Sequence, residues 1–509
     1  MTKINRNPAT AAQSSYDVII IGGGIYGVML SLEASRRNLR SLLIEKGDFG
    51  GATSYNSLRI VHGGFRYLQN LDLERFYESV GERKWFLKTF PDLVKPLSCL
   101  MPLYNKGIRR PPILYTALKL NDALSINRNQ GIRPDRHLPP GEVIKSEQVK
   151  TYFPTVDPQG LTGGAIWHDA CMPDSQRLVI GILRWACSLG ATALNYVEAK
   201  EILKVNQTVS GVIAEDKITG ETQEFQAKIV VNAAGPWCRE LAAKFDQDVP
   251  HLFYKSIAWN ILFDRETLSD FALAVEPKKP HAQTYFLHPW KGRLLAGTIH
   301  NPWFKEIKAN PNPEPAEISE FIDNLNLAIP GLNLSKTEIL RVFSGLLPGE
   351  KPDSNELAVR EVILNHQTLN QGIKGLYSVS GVKFTTARLV AEKTIQQIFP
   401  NFPSVNPIET APPEAQRPQG LYDYHWYPQP ELTDWKTELQ DIIENEAVQH
   451  LDDLILRRTS LGDNPKRALK IAPLVCQLFN WDDQKSKQEI QRLESFYQTC
   501  GMEELTLKS

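Results

Sequence analysis

A turn built on three glycines is the first place in this chain where residue type and spacing could do chemistry. The glycines follow the spacing GxGxxG and are Gly22, Gly24 and Gly27. An apolar, β-branched run over residues 16–21 precedes them, and residues 28–37 have the apolar spacing of a helix. Such glycines permit a tight turn, let a pyrophosphate approach the backbone and allow the helix to pack closely on the strand. The helix N-terminus then offers free N–H groups and partial positive charge to phosphates.

An acidic residue, Glu45, ends the next predicted strand, which covers residues 41–44. A carboxylate at that position can accept both ribose hydroxyls of an adenosine. The combination favours a dinucleotide site over a glycine-rich turn before an ordinary surface helix. An NAD-binding domain would continue into another strand–helix unit, whereas small residues and hydroxyls, GGATS over residues 50–54, come soon after Glu45 here. FAD is therefore the predicted cofactor, and NAD is its rival.

Residues 49–68, FGGATSYNSLRIVHGGFRYL, resemble the motif ATSS…S-K-L-I-H-G-G-x-R-Y-L of the FAD-dependent glycerol-3-phosphate dehydrogenases. That family belongs to the D-amino-acid oxidase-like flavoprotein superfamily, and it usually has lysine where this chain has Arg59. Residues 230–237, VVNAAGPW, are similar to its VNATGPW, and residues 378–388, SVSGVKFTTAR, to its GGKLTTYR. Residues 451–459, LDDLILRRT, resemble the EDLLLRRT element that opens the family's helical tail domain.

The resemblance implies FAD contacts spread over all of these motifs. The predicted cofactor-binding residues are Gly22, Gly24, Gly27, Glu45, Lys46, Thr53, Ser54, His62, Gly63, Gly64, Ala233, Gly235, Gly381, Lys383, Phe384 and Thr385. In the motif around residue 381, a strand, a glycine and a helix start would aim a positive dipole at the flavin edge that gains negative charge on reduction.

The same resemblance implies hydride transfer from the CH–OH carbon of a small anionic substrate, a phosphate or a carboxylate, to flavin N5. The candidate catalytic residues are Lys383, Arg360, Arg66, Tyr67 and His62. Ordinary ion pairing is the alternative role for the two arginines, and packing or hydrogen bonding is the alternative for the histidine. His288 and His300 are weaker candidates for the proton acceptor, chosen only because they lie near predicted strand ends.

Three substrate-site elements depart from the family pattern. The family's S-G-x-R-P-L reads SGLLPG over residues 344–349, so a leucine, taken as Leu346, replaces a substrate-binding arginine. Its K-G-S-H reads KSIAWN over residues 255–260, without a histidine, and its G-T-T-D reads GTIH over residues 297–300. Losing one charged hydrogen bond of about 1.5–3 kcal/mol weakens transition-state binding roughly 10- to 150-fold. The prediction is a retained cofactor site with a pocket rebuilt for a related anionic or larger hydroxy compound.

Two other functions stay open beside the CH–OH dehydrogenase. One is an FAD-dependent amine or amino-acid oxidase on the same scaffold, and the other is a non-catalytic flavin-binding interaction protein. The predicted electron acceptor is a quinone or oxygen, with a soluble carrier as an alternative. A homodimer is left open.

The overall composition limits the partners, the metal sites and the cellular compartment that can be expected. A net charge of -1 gives no electrostatic basis for binding nucleic acid. The six cysteines are scattered without a CxxC pair, so no metal site is predicted. A polar start without a signal-peptide core, and no apolar run of spanning length, favour the cytoplasm. Residues 97–120 mix apolar and basic residues, which suits peripheral contact with the inner face of a membrane or, alternatively, a partly buried irregular segment.

We predict an α/β (α+β overall) fold with a Rossmann-like FAD-binding domain, a mixed-sheet substrate domain and a C-terminal helical domain. The predicted boundaries are a disordered lead over 1–15, an FAD-binding domain over 16–90, 160–249 and 335–400, a substrate domain over 91–159 and 250–334, a linker over 401–430, and the helical domain over 431–509. Helices are predicted over 71–90, 176–189 and 314–327, strands over 202–213 and 222–231 and within 250–300, and irregular structure over 91–160.

Overall fold

The computed structural model describes residues 3–105, 107, 109–279, 282–402, 411–412, 415 and 434–499. The predicted linker over 401–430 lies almost entirely outside these residues. The strands are β1 (Ser15–Tyr16), β2 (Val18–Ile21), β3 (Ser41–Glu45), β4 (Ile60–Val61), β5 (Lys95–Leu103), β6 (Glu142–Ile144), β7 (Gly163–Cys171), β8 (Thr192–Asn195), β9 (Val197–Val205), β10 (Thr208–Asp216), β11 (Thr222–Ala227), β12 (Val230–Asn232), β13 (Tyr254–Glu266), β14 (Ala272–Val275), β15 (Tyr285–Trp290), β16 (Arg293–Pro302), β17 (Ile339–Gly349), β18 (Val362–Asn365) and β19 (Leu376–Ser380).

The α-helices of the described residues are α1 (Pro8–Ala12), α2 (Ile25–Arg36), α3 (Leu73–Thr89), α4 (Pro111–Leu124), α5 (Ser146–Tyr152), α6 (Ser175–Ser188), α7 (Cys238–Lys244), α8 (Pro315–Ala328), α9 (Ala387–Ile398), α10 (Asp434–Asn445), α11 (Pro465–Cys476) and α12 (Asp483–Thr499). None of the helices in these ranges has the length and apolar composition of a membrane span.

A six-stranded sheet with the order β18-β19-β12-β2-β3-β8 combines strands from both halves of the chain. Its neighbouring strands are parallel except β18, which is antiparallel to β19. Val18 and Ile20 face the core beneath α2 and α6, whereas Ile19 and Ile21 face a second core shared with β9 and β10. Because both faces of β2 are covered, the strand is a continuous apolar run without polar alternation.

Two further sheets complete the α/β fold. A four-stranded sheet, β1-β11-β10-β9, covers one face of the six-stranded sheet. A mixed nine-stranded sheet has the order β17-β13-β16-β15-β14-β5-β7-β4, with β6 paired to β7. Trp259 and Ile261 of β13 pack against Phe321 and Leu325 of α8 in its largest core. The mixed-sheet domain predicted from the sequence is confirmed.

Helices α10, α11 and α12 and a π-helical segment, Asp453–Arg458, form the C-terminal domain. Its core includes Leu439, Leu454 and Leu493, and also Tyr55 from the loop that follows β3. A side chain of the first domain is thus buried inside the last one, which fixes the two against each other.

Three expectations about segment structure differ from the observed fold. The predicted disordered lead is ordered from residue 3, because α1 forms and Ile4 is buried, its N–H donating to the Asn445 carbonyl at 2.9 Å. The stretch 91–160 is not irregular: it contains β5, an inner strand, and α4, whose prolines occupy the first helical turn, where no N–H is needed. Strands β7 and β17, placed by sequence in the FAD-binding domain, belong to the nine-stranded sheet.

The glycine turn after β2 leaves no room for a side chain at Gly27, because a Cβ there would overlap the Gly22 carbonyl oxygen. We therefore expect Gly27→Ala to lower the free energy of unfolding by about 1–3 kcal/mol or more, as overpacking does. Gly81→Ala in α3 is the matched control, since a Cβ there meets no atom within 4 Å. It should raise stability by about 0.5–1 kcal/mol through helix propensity. Thermal unfolding measures both, and a Gly27→Ala protein as stable as the parent would contradict the packing argument.

Candidate active site

A cavity of about 1270 Å³ lies between the six-stranded and nine-stranded sheets. Residues at the carboxyl ends of parallel strands form one wall: Gly22 after β2, Glu45 in β3, Ala233 after β12 and Gly381 after β19. Open α/β sheets bind ligands at this edge. The volume exceeds the roughly 300–1,000 Å³ of an ordinary small-molecule pocket, so it has room for a dinucleotide and a substrate together.

The glycine turn forms a cradle that side chains would fill. Gly22 has φ +113°, and a Cβ there would lie 2.5 Å from the Ala233 carbonyl oxygen. A Cβ at Gly24 would lie 3.3 Å from the Ser54 hydroxyl oxygen, which accepts a hydrogen bond from the Ile25 N–H at 2.9 Å. The loop that follows β3 is thereby attached to the first turn of α2. A pyrophosphate can approach the backbone only because these positions are glycine.

Glu45 is held in place by the backbone. The Gly23 N–H donates to one of its carboxylate oxygens at 2.6 Å, and the Gly47 N–H donates to the other at 2.8 Å. Burial raises the pKa of Glu45, and these two hydrogen bonds oppose that rise. Beside it, the Lys46 ammonium lies 3.6 Å from the centre of the Trp237 ring. This end of the cavity therefore has the acceptor and the ring surface that an adenosine requires.

Tyr26 joins the glycine turn to the second glycine motif. Its hydroxyl donates to the Lys383 carbonyl at 2.8 Å and accepts from the Lys383 N–H at 3.1 Å. A Cβ at Gly381 would overlap the Tyr26 ring, so glycine is required there. The sequence prediction did not single out Tyr26, although its position inside GxGxxG was a signal.

His62 lines the cavity but is fixed through Asp169. Its Nδ1 lies 3.3 Å from one Asp169 oxygen, while the other oxygen accepts from the Gly63 N–H at 2.7 Å and from Arg83 at 3.0 Å. Burial alone would raise the pKa of Asp169, but the His62 and Arg83 interactions lower it to about 2. A Cβ at Gly63 would overlap the Arg83 guanidinium. These contacts favour the positioning role over a chemical role for His62.

A cluster of cations surrounds Tyr67 at the other end of the cavity. The Lys383 ammonium donates to the Tyr67 hydroxyl, and the Arg66 and Arg75 guanidinium groups lie 5.4 and 4.8 Å from its ring centre. Burial would raise the pKa of Tyr67, but the hydrogen bond and charge of Lys383, with the charge of Arg66, lower it overall. Arg75 is neutralised by Asp72. Arg66 and Lys383 have no carboxylate partner among the described residues, so they leave net positive charge facing the cavity.

Two predicted residues lie elsewhere. Arg360 does not line the cavity, because it forms ion pairs with Glu74 at 2.5 Å and Glu78 at 2.9 Å on α3. These contacts favour the ion-pair alternative for Arg360, with partners distant in sequence, and its catalytic role stays a prediction. His288 is buried away from the cavity, where burial and the charge of Arg59 lower its pKa to about 3.

The opposite wall is a row of residues across three strands. Ala258 of β13 pairs with Gly345 of β17 on one side and with His300 of β16 on the other, and all three line the cavity. No described residue hydrogen-bonds to His300 Nδ1, which is buried. Counting along S-G-x-R-P-L places the family's arginine at Leu347 rather than Leu346. Leu346 and Leu347 both line the cavity, and Leu346 also belongs to the core of the sheet.

The structure brings most of the predicted cofactor residues to this one cavity. Gly27 and Gly63 lie behind its wall, and the others line it: Gly22, Gly24, Glu45, Lys46, Thr53, Ser54, His62, Gly64, Ala233, Gly235, Gly381, Lys383, Phe384 and Thr385. The sequence prediction missed the wall residues Asp452, Arg457, Arg492 and Phe496 of the C-terminal domain. The LDDLILRRT motif was a signal for the first two.

The chain is similar to known FAD-dependent oxidoreductases. The family model described as FAD dependent oxidoreductase matches residues 17–397. A glycerol-3-phosphate dehydrogenase of Synechocystis sp. is 29% identical over 468 residues, covering 88% of this chain and 80% of that protein. The mitochondrial glycerol-3-phosphate dehydrogenase of Bos taurus is 28% identical over 396 residues, covering 75% of this chain and 52% of that protein. The chain thus spans only about half the length of the bovine relative.

A solved structure has the same fold. The glycerol-3-phosphate dehydrogenase from Bacillus halodurans, complexed with FAD, superposes with a TM-score of 0.71 at 21% identity, covering 97% of this chain and 96% of that chain. The glycine cradle, the Glu45 carboxylate and the loop at Gly381 fit such a dinucleotide. With a match over three quarters of its length, this chain belongs to the FAD dependent oxidoreductase family, resembles the glycerol-3-phosphate dehydrogenases and uses FAD as its cofactor.

Proposed function

We propose that this enzyme oxidises the CH–OH carbon of a small anionic substrate, a phosphate or a carboxylate. FAD, when bound, supplies the hydride acceptor at flavin N5. The observation that carries the proposal is the convergence of Arg66 and Lys383 on Tyr67, in the same cavity as His300. Cations, a hydroxyl and a neutral base in one enclosed space are what oxidation of an anionic alcohol requires.

Arg66 and Lys383 hold the anionic group of the substrate. The Arg66 guanidinium can form paired hydrogen bonds with a phosphate or carboxylate, and Lys383 adds a compact charge. Lys383 is fixed twice, through its backbone by Tyr26 and through its ammonium by Tyr67. This pre-organisation orients the carbinol carbon without ordering a flexible side chain at each turnover.

His300 accepts the hydroxyl proton. Burial, and to a smaller extent the charge of Arg66, lower its pKa to about 4, so the imidazole is uncharged at neutral pH. Arg66 and His300 line the same cavity, which supports this role. Tyr67 suits the role less well, because its hydroxyl is already engaged by Lys383.

The rest of the substrate would contact the wall formed by β13, β16 and β17. This wall has fewer charged side chains than the family pattern implies. Gly345, Ala258 and Leu347 leave space and apolar surface where the family carries a histidine and an arginine. Glycerol 3-phosphate would lose a charged contact there, whereas a hydroxy compound with a larger or more apolar end gains contact area. A related anionic or larger hydroxy compound is therefore the proposed substrate. A quinone or oxygen as electron acceptor, a homodimer, and membrane contact remain predictions from the sequence.

Anaerobic mixing of the FAD-loaded protein with glycerol 3-phosphate, longer hydroxy-phosphates, hydroxy acids and amino acids tests the proposal. We expect anionic hydroxy compounds to bleach the flavin absorbance, with those carrying a larger apolar end reacting faster than glycerol 3-phosphate. Bleaching by amino acids or amines alone would replace the CH–OH assignment with the amine oxidase alternative. Bleaching by none of them, in protein that dithionite still reduces, would favour the non-catalytic alternative.

Lys383→Met removes the ammonium but not the backbone groups that Tyr26 holds. We expect flavin reduction by the best substrate of the panel to slow about 10- to 100-fold, as loss of a charged hydrogen bond does, while FAD stays bound. Lys374→Met, at an exposed site before β19, is the control and should react like the parent. Equal rates for Lys383→Met and the parent would remove Lys383 from the substrate site.

The pH dependence of flavin reduction tests His300. Because its pKa is lowered to about 4, it stays neutral, and the reduction rate should be level from pH 8 down to 5.5. An imidazole with the ordinary pKa of about 6.5 would be roughly nine-tenths protonated at pH 5.5, and the rate would fall about 10-fold. His300→Gln should be slow throughout this range. A parent rate that falls through pH 6.5 would contradict the lowered pKa of His300, and a His300→Gln protein as fast as the parent would exclude its role as proton acceptor.

A further inference from the structure

The C-terminal helical domain forms part of the cavity wall at its adenosine end. Arg457 and Arg492 line the cavity there, beside Tyr196 and Glu198 at the β8–β9 junction. Glu45 lies at the same end of the cavity. The C-terminal domain, which follows the last strand in the chain, therefore contributes residues to the predicted adenosine end of the dinucleotide site.

Asp48 connects this domain to the cofactor loop. Its carboxylate is fully buried and accepts from Arg457 Nε at 2.6 Å and from both terminal nitrogens of Arg458 at 2.8 Å. Asp48 lies three residues after Glu45, and its carbonyl accepts from the Gly51 N–H at 3.1 Å. The next contact, from the Gly50 N–H to the Gly23 carbonyl at 2.9 Å, closes the loop on the glycine turn.

The Arg457 guanidinium forms hydrogen bonds with three carboxylates, one on the cofactor loop and two in the C-terminal domain, and so links the two parts. Besides Asp48, its guanidinium donates to Asp452 at 3.0 Å and to Asp453 at 2.6 Å. Burial would raise the pKa of Asp48, but the charges of Arg458 and Arg457 hold it well below its usual range. Removing Arg457 would leave Asp48 with Arg458 as its remaining cation, and would leave Asp48, Asp452 and Asp453 together with less positive charge in a buried place, which is costly.

We propose that Arg457 is a positioning residue of the FAD site, which holds the loop over residues 48–54 in its binding conformation through Asp48. FAD binding and docking of the C-terminal domain are then thermodynamically coupled, and each strengthens the other by the same factor. The inference rests on FAD as the cofactor and not on the proposed substrate. No reaction is needed to test it, so its failure and that of the proposed function are distinguishable.

A second ion pair between the same domain and the rest of the protein provides the control. Lys291, after β15, donates to Asp174 at 2.6 Å and to Asp463 of the C-terminal domain at 3.0 Å. None of these three residues lines the cavity. Lys291→Gln therefore weakens attachment of the domain without touching the cofactor loop.

The experiment titrates full-length apoprotein with FAD and follows flavin fluorescence. We expect Arg457→Gln to raise the Kd for FAD about 10- to 100-fold, the loss of a charge-assisted contact. Lys291→Gln should lower the melting temperature while its Kd for FAD stays within about threefold of the parent value. An Arg457→Gln Kd within that same margin would overturn the proposal. Equal weakening of FAD binding by both variants would also overturn it, since it would show general destabilisation.

Two measurements keep the proposal testable if Arg457→Gln does not fold. Arg457→Lys retains the charge without the paired donors, and its Kd for FAD should lie between those of the parent and a full loss. In the unmutated protein, saturating FAD should slow hydrogen exchange of the Asp453–Arg458 amides. Unchanged exchange in this segment on adding FAD would contradict the coupling, as would a parent-like Kd for Arg457→Lys.

Discussion

The close approach of backbone to backbone at the glycine turn is the constraint on which the site depends. The helix α2 can lie against β2 only because Gly27 presents no Cβ to the Gly22 carbonyl, and Gly22 presents none to Ala233. This contact places the N-terminus of α2 at the ends of β2 and β12, and so fixes where a pyrophosphate can bind. The hydrogen bonds of Tyr26 to the backbone of Lys383 then fix the Lys383 loop relative to the glycine turn.

Three parts of the fold contribute residues to the cavity around the glycine turn. The six-stranded sheet supplies the dinucleotide cradle, and the nine-stranded sheet supplies the substrate wall with His300. The C-terminal domain closes the adenosine end through Arg457 and Asp48. Backbone N–H groups of Gly23, Gly47 and Lys383 form hydrogen bonds on the cofactor side, whereas the side chains of Ala258 and Leu347 line the opposite wall. The cofactor side is thus shaped mainly by the backbone and the opposite wall by side chains.

Much of the fold could be predicted from local patterns. The helices over 71–90, 176–189 and 314–327 appear as α3, α6 and α8 with ends shifted by a few residues at most. The prolines of the segment 91–160 suggest irregular structure, but Pro111 and Pro112 occupy the first turn of α4, where proline is compatible with a helix. The polarity of the lead predicts disorder, because it hides the buried contact of Ile4 with the C-terminal region and the burial of Ala11.

The sequence by itself determined the cofactor, because GxGxxG, Glu45 and the motif around Gly381 each encode a local backbone shape that a dinucleotide requires. It also predicts a substrate pocket that departs from the family pattern, since the missing arginine and histidine can be read directly. Only the tertiary structure decided that Arg360 pairs with Glu74 and Glu78 of α3. It alone aligned His300 with Ala258 across two strands. Ion pairing and cross-strand register join residues far apart in the chain, and no local pattern specifies which partner a charged or titratable side chain will meet.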